Sequence, residues 1–210
     1  MVRSNTKETQ ESLTPEKALE LLKTGNYRFV NNLKINRNLL QQVNETRDGQ
    51  WPFAAILSCI DSRTSAELIF DQGLGDIFSV RIAGNVINED ILGSLEYACK
   101  LAGSKLIVVL GHTKCGAIKG ACDGVELGNL SSLLNKIRPA VEAETAVWDE
   151  CQPDNPAFLD GVTQLNVRHS VKLILEQSTV VREMVDRGEV GLVGAVYDVE
   201  TGAVTFEEKS

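Results

Sequence analysis

The stretch 105–111, Lys-Leu-Ile-Val-Val-Leu-Gly, constrains this chain more than any other. A strand with one wet face alternates apolar and polar residues. An unbroken apolar run has no face to offer to water, so it belongs to a sheet covered on both sides, the usual setting of parallel strands. Residues 53–58 (FAAILS) and 192–199 (LVGAVYDV) have the same character, and 77–82 (IFSVRI) is strand-like. Helical patterns lie between them: 65–70, then 90–101 closed by Gly103, then about 129–147 and 158–187. A Glu200-Thr201-Gly202 turn leads into 203–207 as a hairpin partner of the last long strand. Strands separated by helices predict an α/β fold with a mainly parallel central sheet of about four to five strands flanked by helices.

Residues 1–13 are polar and read as a loose tail. Thr14-Pro15 is a helix cap followed by proline in the first turn. Leu19, Leu22, Phe29, Val30 and Leu33 follow at roughly helical spacing, giving an amphipathic arm over 14–48 that packs on its own domain or on a second subunit. The α/β core occupies 50–210, so 14–210 is expected to form a single domain, in keeping with a length of 210 residues.

Composition closes off several function classes. No apolar run approaches the roughly 20 residues of a membrane span. A formal net charge of -8 argues against a nucleic-acid partner. The five cysteines, Cys59, Cys99, Cys115, Cys122 and Cys151, are odd in number and widely spaced, which suggests a reducing, cytoplasmic setting and no disulfide framework. A chain whose signal segment had been removed would read the same way.

Two of the apolar runs end in chemically active residues: Cys59-Ile60-Asp61-Ser62-Arg63 after the first and His112-Thr113-Lys114-Cys115-Gly116 after the third. In open α/β sheets, ligands gather at the carboxyl ends of strands beside the point where strand order reverses. If these two strands are neighbours, Cys59, His112 and Cys115 converge. Two sulfurs and an imidazole suit Zn²⁺, and three protein ligands leave the fourth position open, as catalytic zinc requires. The residues alone leave other readings standing. A strand-end cysteine is often only a small hydrophobe, a structural zinc is an alternative, and Asp61 with Arg63 can be an ordinary loop ion pair or a dyad beside the metal. Cys99, Cys122 and Cys151 have no partner spacing and read as structural thiols, and His169 as a surface or interface histidine.

The C-x-D-x-R run at 59–63 and the H-x-x-C run at 112–115 resemble the signature of the β-class carbonic anhydrases. The likeness extends to Arg81, Ala83-Gly84-Asn85, the run from Gly93 to Ala98, the run from Gly116 to Gly120, and the strand from Gly194 to Asp198. The resemblance implies one Zn²⁺ per chain on Cys59, His112 and Cys115, with Asp61 and Arg63 as the catalytic dyad. It implies reversible hydration of CO2 to bicarbonate by a zinc-bound hydroxide, in a homodimer or dimer of dimers whose active site lies at the subunit interface. It further implies substrate contacts from Gln50, Phe78, Ala83, Tyr97 and the Gly116 backbone. Ile56 stands where the bicarbonate-inhibited type has tryptophan, so the chain resembles the open, plant-like type. The same scaffold leaves two alternatives: hydrolysis of a CO2 analogue such as carbon disulfide or carbonyl sulfide, and a non-catalytic zinc-stabilised scaffold.

Overall fold

The computed structural model describes residues 4–207. Helices α1 (Lys7–Glu11), α2 (Pro15–Val30) and α3 (Leu39–Thr46) lead into strand β1 (Ala54–Ser58). Helix α4 (Ala66–Ile69), strand β2 (Ile77–Arg81), helix α5 (Glu89–Glu96) and strand β3 (Leu106–His112) follow. Helices α6 (Gly116–Cys122), α7 (Gly128–Leu134), α8 (Arg138–Trp148), α9 (Pro156–Gln177) and α10 (Thr179–Asp186) precede strands β4 (Gly191–Tyr197) and β5 (Val204–Phe206).

Among the described residues the sheet has five strands in the order β2-β1-β3-β4-β5. The first four are parallel, and β5 returns antiparallel to β4. The expected α/β architecture is therefore borne out. β1 and β3 are buried along their whole lengths, as their unbroken apolar sequences require. Ile56, Val108 and Leu110 pack on one face against Leu22 of α2 and Ile69 of α4. Leu57, Ile107 and Val109 pack on the other against Leu95, Val167 and Ile174. Fully burying one such side chain is worth about 1.5–3 kcal/mol, so these two layers supply most of the driving force. A third cluster, including Ile118, Ile137, Phe158 and Val162, sits around Cys59 and Cys115. No helix among the described residues is long and apolar enough to cross a membrane.

The loose tail expected over 1–13 is a correction, because the described part of it is docked. Thr6 caps α1, and Gln10 is buried with its Nε2 donating to the carbonyls of Pro52 (2.7 Å) and Ala102 (2.8 Å). Hydrogen bonds hold this segment, so its polar composition concealed it. The arm is two helices. Its entry to the core is clamped at Asp71, a residue in the left-handed region (φ 45°), which pairs with Arg28 and Arg37.

Candidate metal centre

The register explains why the two strand ends meet. β1 and β3 are adjacent and parallel, with Ser58 opposite Leu110, so Cys59 emerges beside the Gly111-His112 end of β3. The chain leaves β1 to one side for β2 and returns to the other side for β3, which makes this pair the point where strand order reverses. After His112 the backbone turns through Lys114, a non-glycine residue with φ of 55°, and that turn brings Cys115 back to the same end. Cys115 then flanks the N-terminus of α6.

The Cys59 Sγ, the Cys115 Sγ and a ring nitrogen of His112 all lie within 4.8 Å of one another, and all three residues are buried. The two sulfurs are 4.0 Å apart. Zn–S bonds of about 2.3 Å at tetrahedral angles require about 3.8 Å, so the spacing fits. His112 is oriented by its own turn: Nδ1 lies 2.9 Å from the Thr113 carbonyl, which can only accept, so Nδ1 carries the proton. Its Nε2 is buried without a hydrogen-bond partner. A buried, unpaired imidazole nitrogen beside two sulfurs is a donor set that fits a borderline-soft cation. The Cys59 thiol is held well below its ordinary range, chiefly by the hydrogen bond from Cys115, with the Gly84 backbone N–H adding to it. The Cys115 thiol moves up, because it supplies that hydrogen bond and is itself buried.

Asp61 follows Cys59 by two residues and is near enough for His112 to act on its charge. Its Oδ1 accepts from the Arg63 backbone N–H and from Arg63 Nε, both at 2.9 Å, and its Oδ2 accepts from Arg63 Nη2 at 2.7 Å. These hydrogen bonds hold its carboxyl at about 2, so it is ionised throughout the neutral range. The Arg63 side chain is 49% exposed, so the pair fixes geometry more than it adds stability.

Several residues that hold this loop were not assigned from sequence. Arg81, at the end of β2, donates to the Cys59 carbonyl (3.0 Å) and the Asp61 carbonyl (2.6 Å). Thr64 Oγ1 donates to the same two carbonyls at 3.1 and 2.8 Å. The Ala83–Asn85 turn is anchored from α9, where Asn166 Nδ2 donates to the Gly84 carbonyl (2.8 Å) and Ser170 Oγ to the Asn85 carbonyl (3.1 Å). Gly84 has φ of 65°, and a Cβ there would lie 2.7 Å from Ile137 Cδ1, so the turn requires glycine. Its N–H lies 3.4 Å from Cys59 Sγ. The signal available in the sequence was an arginine closing an otherwise strand-like run, which marks a polar contact without naming its partner.

The five residues expected at the substrate separate into two groups. Ala83 adjoins Gly84 at the cluster, and Gly116 follows Cys115 directly with open space where a Cβ would stand. Phe78 and Tyr97 lie together, ring centroids 6.2 Å apart, in a cleft of about 790 Å³ along the edge strand β2. None of Cys59, His112 and Cys115 lines that cleft. Tyr97 is 53% exposed and opens a single π-helical turn, Tyr97–Leu101. Gln50 is exposed just before β1. The structure thus brings the metal triad and Asp61 together within one chain and leaves the aromatic pair on its surface. His169 is half-buried on α9 and lines a separate cleft with Asn88 and Lys136.

Comparison with known proteins agrees with this geometry. The sequence profile of the family described as carbonic anhydrase matches residues 54–204. Carbonic anhydrase 2 of Mycobacterium tuberculosis is 36% identical, over 92% of this chain and 93% of its own length. The crystal structure of a β-carbonic anhydrase of Aspergillus fumigatus superposes with a TM-score of 0.73 at 27% identity, covering 92% of this chain and 90% of that one. A β-carbonic anhydrase of Sordaria macrospora, one of two described as tetrameric, also gives 0.73, at 25% identity over 79% of this chain and 85% of its own.

Proposed function

The chain belongs to the β-class carbonic anhydrase family, and from that premise we propose that it hydrates CO2 reversibly to bicarbonate and a proton, with one Zn²⁺ per chain on Cys59, His112 and Cys115. The observation that carries this reading is the buried triad with its unpaired His112 Nε2. Zinc held there would supply a bound water with its pKa lowered towards neutrality, the behaviour established for carbonic anhydrases of the three-histidine type. Cys59 and Cys115, as thiolates, would donate more negative charge than imidazoles and set that pKa higher than three histidines would.

The chain's own residues do the rest. Asp61, ionised and gripped by Arg63, accepts a hydrogen bond from the reacting oxygen and aims its lone pair at the carbon of CO2. Arg81 and Thr64 keep the backbone that carries Cys59 and Asp61 in place. The exposed Gly116 N–H donates to a substrate oxygen, and Ala83 forms apolar wall.

We assign Phe78, Tyr97 and Gln50 to a site completed by a second copy of the chain, because within one chain the cleft that holds the aromatic pair is not lined by the triad. The arm supports an assembly of this kind, with Tyr27, Leu33, Leu39, Leu40 and Val43 all exposed. We assign the open form, in which Asp61 stays on Arg63 and off the metal, and a cytoplasmic setting. A zinc-loaded structure with an Asp61 oxygen within roughly 2.0–2.2 Å of the metal would contradict the open form. Stopped-flow CO2 hydration, run beside a sulfide-release assay with carbon disulfide, tests the reaction itself. Hydration is the expected result. Sulfide release without hydration would replace this reading with hydrolysis of the analogue, and neither activity in zinc-loaded protein would leave only a scaffold.

A further inference from the structure

Two cysteines outside the triad meet at the surface. Cys122 ends α6, the helix that begins beside Cys115. Cys151 lies in the loop between α8 and α9, two residues after Asp149 turns the chain with φ of 62°. Its Sγ is 3.7 Å from the Cys122 carbonyl oxygen, although 29 residues separate the two in sequence. Both thiols are free, with Cys151 exposed and Cys122 half-buried. A second contact holds helix and loop in this relation. Lys119, one turn before Cys122, places its Nζ 3.2 Å from the Pro153 carbonyl, 3.1 Å from Asp154 Oδ1 and 3.3 Å from Asp123 Oδ1.

We propose that Cys122 and Cys151 form a modification site: a reversible disulfide, made by exchange with a low-molecular-weight disulfide, that staples the end of α6 to the α8–α9 loop. Exposure sets the order of steps. The Cys151 thiolate attacks one sulfur of the small disulfide, breaks its S–S bond and expels one thiolate, leaving a mixed disulfide on Cys151. The Cys122 thiolate then attacks Cys151 Sγ and expels the second thiolate. The protein loses two electrons and two protons, and the small disulfide takes up both as two thiols. Burial, then the charge and hydrogen bond of Cys151, push the Cys122 thiol up to about 12. A mixed disulfide on Cys151 can neither ionise nor donate, which removes both of these influences on Cys122, so the first step prepares the second. Cys99 is no competitor, because it is 2% exposed and out of reach of a small disulfide, whereas Cys122 is half-buried.

The test incubates the zinc-loaded full chain with oxidised glutathione, alkylates the remaining thiols and maps unreduced peptides by mass spectrometry. The expected result is a cross-linked peptide pair containing Cys122 and Cys151, reversed by dithiothreitol. Closing a loop of about 30 residues should also raise the unfolding midpoint by roughly 5–10 °C. Cys122→Ser should accumulate the glutathione adduct on Cys151 with no cross-link and no rise in midpoint, and Cys151→Ser should show neither adduct nor cross-link. Wild-type protein with Cys122 and Cys151 both alkylated, or each carrying its own glutathione, would overturn the proposal. So would a cross-link between Cys59 and Cys115 with Cys122 left alkylated.

Discussion

Asp61→Asn separates the two things that the 59–63 loop does. The carboxylate accepts three hydrogen bonds from Arg63, two at Oδ1 and one at Oδ2. Asparagine keeps an oxygen for the backbone N–H and Nε but turns an NH2 towards Nη2, so one charge-assisted bond becomes a donor facing a donor. The cost to stability is small, below about 1 kcal/mol, because the Arg63 side chain is 49% exposed and water takes over the lost contact. The triad is untouched, so zinc should stay. The cost to the reaction is larger. The amide is neutral, it cannot present the same acceptor to the reacting oxygen, and its orientation is no longer fixed. Losing a group that orients the reacting atom typically costs about 10–100-fold, or about 1.4–2.7 kcal/mol in the barrier. Stopped-flow CO2 hydration, metal content and the unfolding midpoint should be measured on the same preparation. The expected result is kcat/KM down by that factor with zinc and midpoint unchanged. Full activity in the variant would refute the role given to Asp61, and loss of zinc would mean that the residue holds the metal.

Three further outcomes follow from the fold. Asp71→Asn suits the left-handed backbone but leaves Arg28 and Arg37, the latter's side chain 9% exposed, without their countercharge; chemical denaturation should show a loss of about 2–4 kcal/mol, and a loss below about 0.5 kcal/mol would contradict the clamp. Gly111→Ala places a Cβ 2.6 Å from Val167 Cγ2, directly before His112, and should cost about 1–3 kcal/mol; an unchanged midpoint would show that α9 yields there. Burial raises the Asp71 carboxyl, but its hydrogen bonds from Arg28 and Arg37 outweigh that and hold it below its ordinary value, so its stabilisation is complete above the unfolded carboxylate pKa and is lost as the pH falls through the folded one. Stability of the wild type should therefore decline below about pH 4, more steeply than in Asp71→Asn, and parallel declines would remove Asp71 as the cause.

The Cys59, His112 and Cys115 cluster was legible because its residues follow apolar runs too continuous to be anything but central strands. The residues left one condition open, that the two strands be neighbours, and pairing of Ser58 with Leu110 meets it. The helices were legible in outline. The pattern at 129–147 breaks between α7 and α8, and that at 158–187 breaks at Ser178, whose hydroxyl caps α10 by accepting from the Val181 N–H. Helix α6 gave little signal because, of its seven residues, only Ile118 is buried. What stayed hidden is held by polar contacts between distant residues. Gln10 reaching the Pro52 carbonyl, Arg81 reaching the Cys59 and Asp61 carbonyls, and Cys151 beside Cys122 obey no periodicity, because a backbone carbonyl has no letter in the sequence.

The central claim is that Cys59, His112 and Cys115 hold one catalytic zinc. Elemental analysis of purified wild type and His112→Ala, paired with CO2 hydration on the same samples, tests it most directly. The expected result is one zinc per chain and rapid hydration in the wild type, with both lost in the variant, because two sulfurs alone fall short of the three protein ligands that a tight catalytic site needs. Full zinc and full activity in His112→Ala would contradict it.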